Sequence, residues 1–137
     1  MQLASLYRCA QRNHIPVLRY PLPRCSSLSV QTEQGCVIGM DKLICDNAAQ
    51  ERTHLSHELG HCLTGSFYTT DSDVALRRRC EERADRWAIR RLVPLEALKH
   101  ALARGMTQPH ELAEYFGVPE PFLQKCVQYY KEACGAL

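Results

Sequence analysis

The sequence predicts an α+β fold, mainly helical, with a small antiparallel or mixed sheet near the N-terminus. Three observations carry this. Short Val-, Ile- and Leu-containing runs bounded by Pro, Gly and Asp are confined to the first 47 residues. From about residue 48 onward, apolar residues recur at helical spacing. Pro94, Gly105 and Gly117 then divide that second part into separate helices. At 137 residues the chain is expected to form one domain. Its parts would be a helix and sheet over 1–47, two longer helices over 48–94, and a C-terminal helical subdomain over 95–137.

Taken in order, residues 2–13 form a short helix with Leu3, Leu6, Tyr7 and Ala10 on one face. IPVLRYPLP follows, a β-type run broken by Pro16, Pro21 and Pro23, which suits an edge strand or extended loop. SLSVQT and CVIGMDKLIC read as two further strands, with the turn at Gly35. A helix spans 48–63. A second begins after Ser72 or Asp73, either of which can cap it, and runs to Leu92. TGSFYTTDS is the loop between them. PLEALKHALARG, QPHELAEYFG and PEPFLQKCVQYYKEA give three shorter helices.

Composition narrows the function classes. A net charge of +2 is too small to argue for nucleic acid or an anionic membrane as partner. No apolar run reaches the length of a membrane span. MQLASLYRCAQRNHIPV lacks the basic and apolar regions of an export signal, so a cytoplasmic protein is expected. The eight cysteines are scattered without a CxxC pair, and the expectation is reduced, mostly buried thiols rather than disulfides or cysteine-held zinc.

The chemistry-bearing stretch is HLSHELGHCLTG over residues 54–65. Helical residues four apart stand on one face, about 6 Å along the axis. His57 and His61 can therefore place two imidazole nitrogens on one tetrahedral ion at about 2.1 Å. Glu58 lies about 100° further round, poorly placed as a ligand but able to take a proton from a water beside the metal. Leu55, Leu59, Cys62 and Leu63 fall on the opposite side and pack the helix inward. Gly60 implies a close neighbour of unknown identity. HExxH arises by chance in about one of a few hundred chains of this length, so the motif needs a third ligand.

RRRCEERADRWAIRRLVP offers Glu81 and Glu82. At 100° per residue, Val74, Ala84, Asp85, Ala88 and Leu92 fall near Glu81, on a face that is otherwise small and apolar. A carboxylate there requires a partner, and a divalent ion is one. Pairing with Arg77 is the competing explanation. Asp85, one turn on, is placed to accept from an imidazole N–H of a ligand histidine. Glu82 points a quarter turn away, toward Arg78 and Arg86, and is the fallback ligand. The site thus expected is one Zn²⁺ on His57, His61 and Glu81.

HELGHCLTGSFY and CEERADRWAIRRLVP together resemble the ImmA/IrrE family of zinc metallopeptidases of phages and mobile elements, through Glu81, Ala84, Asp85, Trp87, Ala88, Leu92 and Pro94 beyond HExxH. YPLP and ELAEYFGVPEPFLQKCVQYY extend the likeness, which is to the short forms. The resemblance implies a gluzincin-like zinc site, with ligands His57, His61 and Glu81 and Glu58 as base. It also implies a protein substrate, a helix-turn-helix repressor whose cleavage derepresses the element. Two other functions are a zinc-containing antirepressor that acts by binding alone, and a DNA-binding regulator using the C-terminal helices.

The remaining features read more plainly. ELAEYFGVPEPFLQKCV has helix-turn-helix spacing, but its second helix offers only Lys125 to phosphates, so it reads as a packing unit and direct nucleic-acid binding is not expected. The arginine-rich stretch is the solvated face of its helix. His54 is a polar neighbour at the mouth of the site. An electrophile for the oxyanion is required, with Tyr68, His14 and His100 as candidates.

Overall fold

A computed structural model describes residues 1–135 and 137. It is α+β and mainly helical, with a small mixed sheet near the N-terminus. The elements are α1 (Leu3–Arg12), β1 (Val17–Arg19), β2 (Ser27–Thr32), β3 (Gly35–Met40), a 3-10 turn (Ile44–Asp46), α2 (Ala48–Thr64), α3 (Val74–Leu92), α4 (Leu95–Ala103), α5 (Pro109–Phe116) and α6 (Glu120–Cys134). The chain divides into two compact units, Met1–Ala88 and Ile89–Leu137.

In the first unit the strand order is β1-β3-β2, with β1 parallel and β2 antiparallel to β3. Gly35, at φ 119°, opens β3 after the tight turn, and Thr32 Oγ1 donates to its carbonyl at 2.7 Å. The third strand is shorter than its sequence predicts and stops at Met40. Asp41 ends it: its carboxylate accepts from the Leu22 amide at 3.0 Å, and its carbonyl accepts from Ile44 at 3.2 Å to start the 3-10 turn. Of the proline-broken run, only Val17–Arg19 is strand. The bond from Asp41 N to Ser26 O fixes the β2–β3 register. Backbone groups of Leu28 and Val30 face β3, and those of Ser27, Ser29 and Gln31 face the outer edge.

Helix α2 lies against one face of this sheet, where Ile38, Met40, Leu55 and Leu59 are fully buried. Asn47 caps it, accepting from Gln50 N at 3.1 Å, and Gly65 ends it in the left-handed region at φ 65°. Glu51 is buried in its first turn and receives Tyr7 from α1 and Arg19 from β1, so one carboxylate ties three elements together. Burial, and then the bond to Glu51, push the Tyr7 hydroxyl up to about 12. Leu63, expected inside, is partly exposed because it lies in the last turn of α2.

Helix α3 is capped by Asp73, whose carboxylate accepts from Leu76 N at 2.7 Å. It crosses α2 at Gly60. A Cβ built on Gly60 would lie 2.7 Å from the Ala84 carbonyl oxygen and 2.9 Å from Ala84 Cα. The close neighbour of Gly60 is therefore the backbone of α3, made approachable by Ala84. Val74, expected on the buried face, is 68% exposed, since it opens the helix before the crossing.

The cysteine expectation needs correction. Cys36 on β3 and Cys62 on α2 are joined in a disulfide, with Cα atoms 5.8 Å apart. They meet because α2 packs on β3, and their 26-residue separation carries no spacing signature. Cys9, Cys80 and Cys126 are buried, as expected, and lie outside this disulfide.

In the second unit, α4–α6 enclose Leu98, Ala101, Leu112, Leu123 and Cys126. Tyr130 closes this core, donating to the Val93 carbonyl at 2.8 Å. Gly105 and Gly117 stop α4 and α5 at positive φ. Among the described residues, no helix is long and apolar enough to cross a membrane.

Candidate metal centre

His57 and His61 project from α2 with their Nε2 atoms 3.2 Å apart. Glu81, from α3, brings Oε2 to 2.9 Å from His57 Nε2 and Oε1 to 3.3 Å from His61 Nε2. The donor atoms of the three residues all lie within 4.8 Å of one another. Ligands about 2.1 Å from a tetrahedral ion stand about 3.4 Å apart, so these spacings fit an ion between them after shifts of a few tenths of an ångström.

The outer nitrogens of both histidines are already engaged. His57 Nδ1 donates to Asp85 Oδ1 at 2.9 Å, and His61 Nδ1 donates to the Ser66 carbonyl at 2.6 Å. Both bonds hold the rings with Nδ1 protonated and Nε2 turned to the shared centre. Asp85 thus stands where the sequence places it. The Ser66 carbonyl was not foreseen, because a backbone acceptor leaves no mark in residue type. It is available because Gly65 ends α2 and turns the chain back beneath His61.

Charge follows from these contacts. Burial works against the imidazolium of His57, but the bonds to Asp85 and Glu81 outweigh it and hold the ring up at about 10. The same balance raises His61, with burial opposing the Glu81 bond and the Ser66 carbonyl. Bonds from His57 and then His61 hold Glu81 well below the usual carboxylate range. Without a metal, the site therefore keeps protons where an ion would sit.

Glu58 is buried and lines the same cleft, about 320 Å³ in volume, as His57, His61 and Glu81. Ser27, on β2, donates to Glu58 Oε2 at 2.7 Å and lies 3.2 Å from His54 Nδ1. His54 thus meets the site through Ser27, and burial lowers its pKa against the pull of Glu58. Ser27, some thirty residues upstream on a strand, carries no sequence signal of its own.

Tyr68 donates to Glu81 Oε1 at 2.6 Å, and that bond is the main reason its hydroxyl is pushed up to about 12. Its ring stacks under Arg77 at 5.8 Å. Arg77 itself bonds the Thr70 and Ser72 carbonyls rather than Glu81. Glu82 is exposed and outside the donor cluster. His14 lines a separate groove with Tyr7 and Ile15, and His100 belongs to α4 of the second unit.

A family model described as Peptidase_M78, IrrE N-terminal-like domain, matches residues 37–126, which is 90 of the 137 residues. The chain belongs to the IrrE N-terminal-like family. Comparison with curated proteins and with solved structures gives no match. The match to the IrrE N-terminal-like domain contains both halves of the donor cluster, His57 and His61 on α2 and Glu81 on α3. Ser27 lies outside the matched residues.

Proposed function

We propose that this chain is a zinc metallopeptidase whose substrate is a partner protein, by resemblance a helix-turn-helix repressor within the same cell. The observation that carries the reading is the closed donor set: two Nε2 atoms and one carboxylate converge, and each imidazole is oriented by its own outer acceptor. His57, His61 and Glu81 would hold the ion. Zinc bound there supplies Lewis acidity to a peptide carbonyl and makes water a nucleophile near neutral pH.

The chain's own groups supply the rest. Glu58 accepts a proton from the attacking water and delivers it to the departing amine nitrogen. The burial of Glu58 strengthens that interaction by limiting competition from bulk water. Asp85 and Ser66 keep the ligand rings from turning. Tyr68, at the cleft, holds Glu81 by its hydroxyl and can turn that donor to a developing oxyanion. A peptide substrate suits the cleft wall. Ser27 and Ser29 line it, and their outward N–H and C=O groups can pair with an extended chain.

Glu58→Gln tests the reading. The variant should bind zinc and fold as the wild type does, yet leave the repressor uncut. Derepression by Glu58→Gln at the wild-type level would instead assign the effect to binding.

A further inference from the structure

The hydroxyl of Ser27 stands between two titratable side chains of α2. It is 2.7 Å from Glu58 Oε2 and 3.2 Å from His54 Nδ1. A hydroxyl has one proton, and an ionised carboxylate can only accept. The Ser27 proton therefore goes to Glu58, and Ser27 Oγ accepts from His54 Nδ1–H. The chain has one direction, from His54 through Ser27 to Glu58. It leaves Glu58 Oε1 as the carboxylate oxygen not engaged by another described residue.

We infer that Ser27 is a positioning residue for Glu58, locking its carboxylate so that Oε1 takes the water's proton while His54 locks Ser27 in turn. The inference rests on the peptidase reading above and adds a residue to it from outside both helices. Three geometric facts support it. Ser27 is on a strand hydrogen-bonded to β3, a firmer platform than a loop. Glu58 is buried, so a lost hydroxyl is poorly replaced by solvent. The backbone of Ser27 also faces the outer edge of β2. One residue thus sets both the register of an extended peptide and the angle of the base.

Protein loaded with cobalt(II) in place of zinc, titrated by visible absorption with two small probes, tests this without a substrate. Acetohydroxamic acid gives up its O–H proton as its oxygen binds the metal, and Glu58 is the group beside it to receive that proton. Azide binds as an anion and transfers none. Ser27→Ala should weaken acetohydroxamate about tenfold, because a carboxylate free to turn is seldom in place for the ligand's proton. It should leave metal content and azide affinity unchanged. Ser27→Thr, which keeps the hydroxyl and suits a strand, should restore acetohydroxamate binding. Glu58→Gln should weaken it too, and adding Ser27→Ala to that variant should cost nothing more.

Equal acetohydroxamate affinity in Ser27→Ala and wild type overturns the inference while leaving the metal reading intact. So does a parallel loss of azide, which would make Ser27 a general support of the site. A wild-type protein that takes up no cobalt or zinc overturns both.

Discussion

Replacing Gly60 with alanine probes the crossing that builds the site. The new Cβ would lie 2.7, 2.9 and 3.1 Å from the carbonyl oxygen, Cα and carbonyl carbon of Ala84. Relaxed contacts of this kind need about 3.5 Å, so the helices must part by several tenths of an ångström. All three atoms are backbone, and no side chain can turn aside. Overpacking costs about 1–3 kcal/mol, and a clash with backbone belongs at the upper end. Alanine returns about 1 kcal/mol of helix propensity. The net loss is about 2 kcal/mol, readable as a lower urea midpoint for the metal-free protein. The effect on metal should be larger in kind. Glu81 is less than one turn from Ala84, so the displacement carries the third donor away from His57 and His61. Zinc affinity, measured against a chromophoric chelator, should fall at least tenfold, or about 1.4 kcal/mol. A Gly60→Ala protein as stable as wild type with undiminished zinc affinity would refute the close crossing.

Two further perturbations separate the parts. Asp85→Asn should lower zinc affinity 10- to 100-fold, because His57 loses the acceptor that orients it. The same variant should change proton release. In the wild type His57 is held at about 10, so at pH 8 it enters charged, and zinc binding must expel its proton. Apparent affinity then rises with pH toward 10. Without the Asp85 charge the ring is less protonated at pH 8, and calorimetry in buffers of different ionisation enthalpy should show a smaller release. Opening the Cys36–Cys62 bond with a reductant should destabilise the fold by up to about 3.5 kcal/mol for a 26-residue separation. A Cys36→Ala, Cys62→Ala double variant should be indifferent to reductant, and a wild type equally indifferent would contradict the bond.

What could be read from sequence was what depends on local geometry. Two histidines four apart share a face on any helix, and helical phase alone separates Glu81 from Glu82 among the alanines. The caps at Asp73 and Gly117 and the turn at Gly35 are likewise local chemistry. The parts that escaped depend on which elements meet. Gly60 signalled a close approach, but only the fold identifies Ala84 as the neighbour. Cys36 finds Cys62, and Ser27 finds Glu58, because the sheet lies on α2. Asp41 ends β3 by bonding an amide 19 residues earlier, a competition that β propensity does not register. The Ser66 carbonyl could not be found from residue type at all.

Metal content of the purified protein by elemental analysis tests the central claim most directly. One zinc per chain in the wild type, retained in Glu82→Ala and lost in His57→Ala and in Glu81→Ala, is the predicted result. Zinc kept in Glu81→Ala but lost in Glu82→Ala would contradict the site described, and no zinc in the wild type would contradict the function proposed for it.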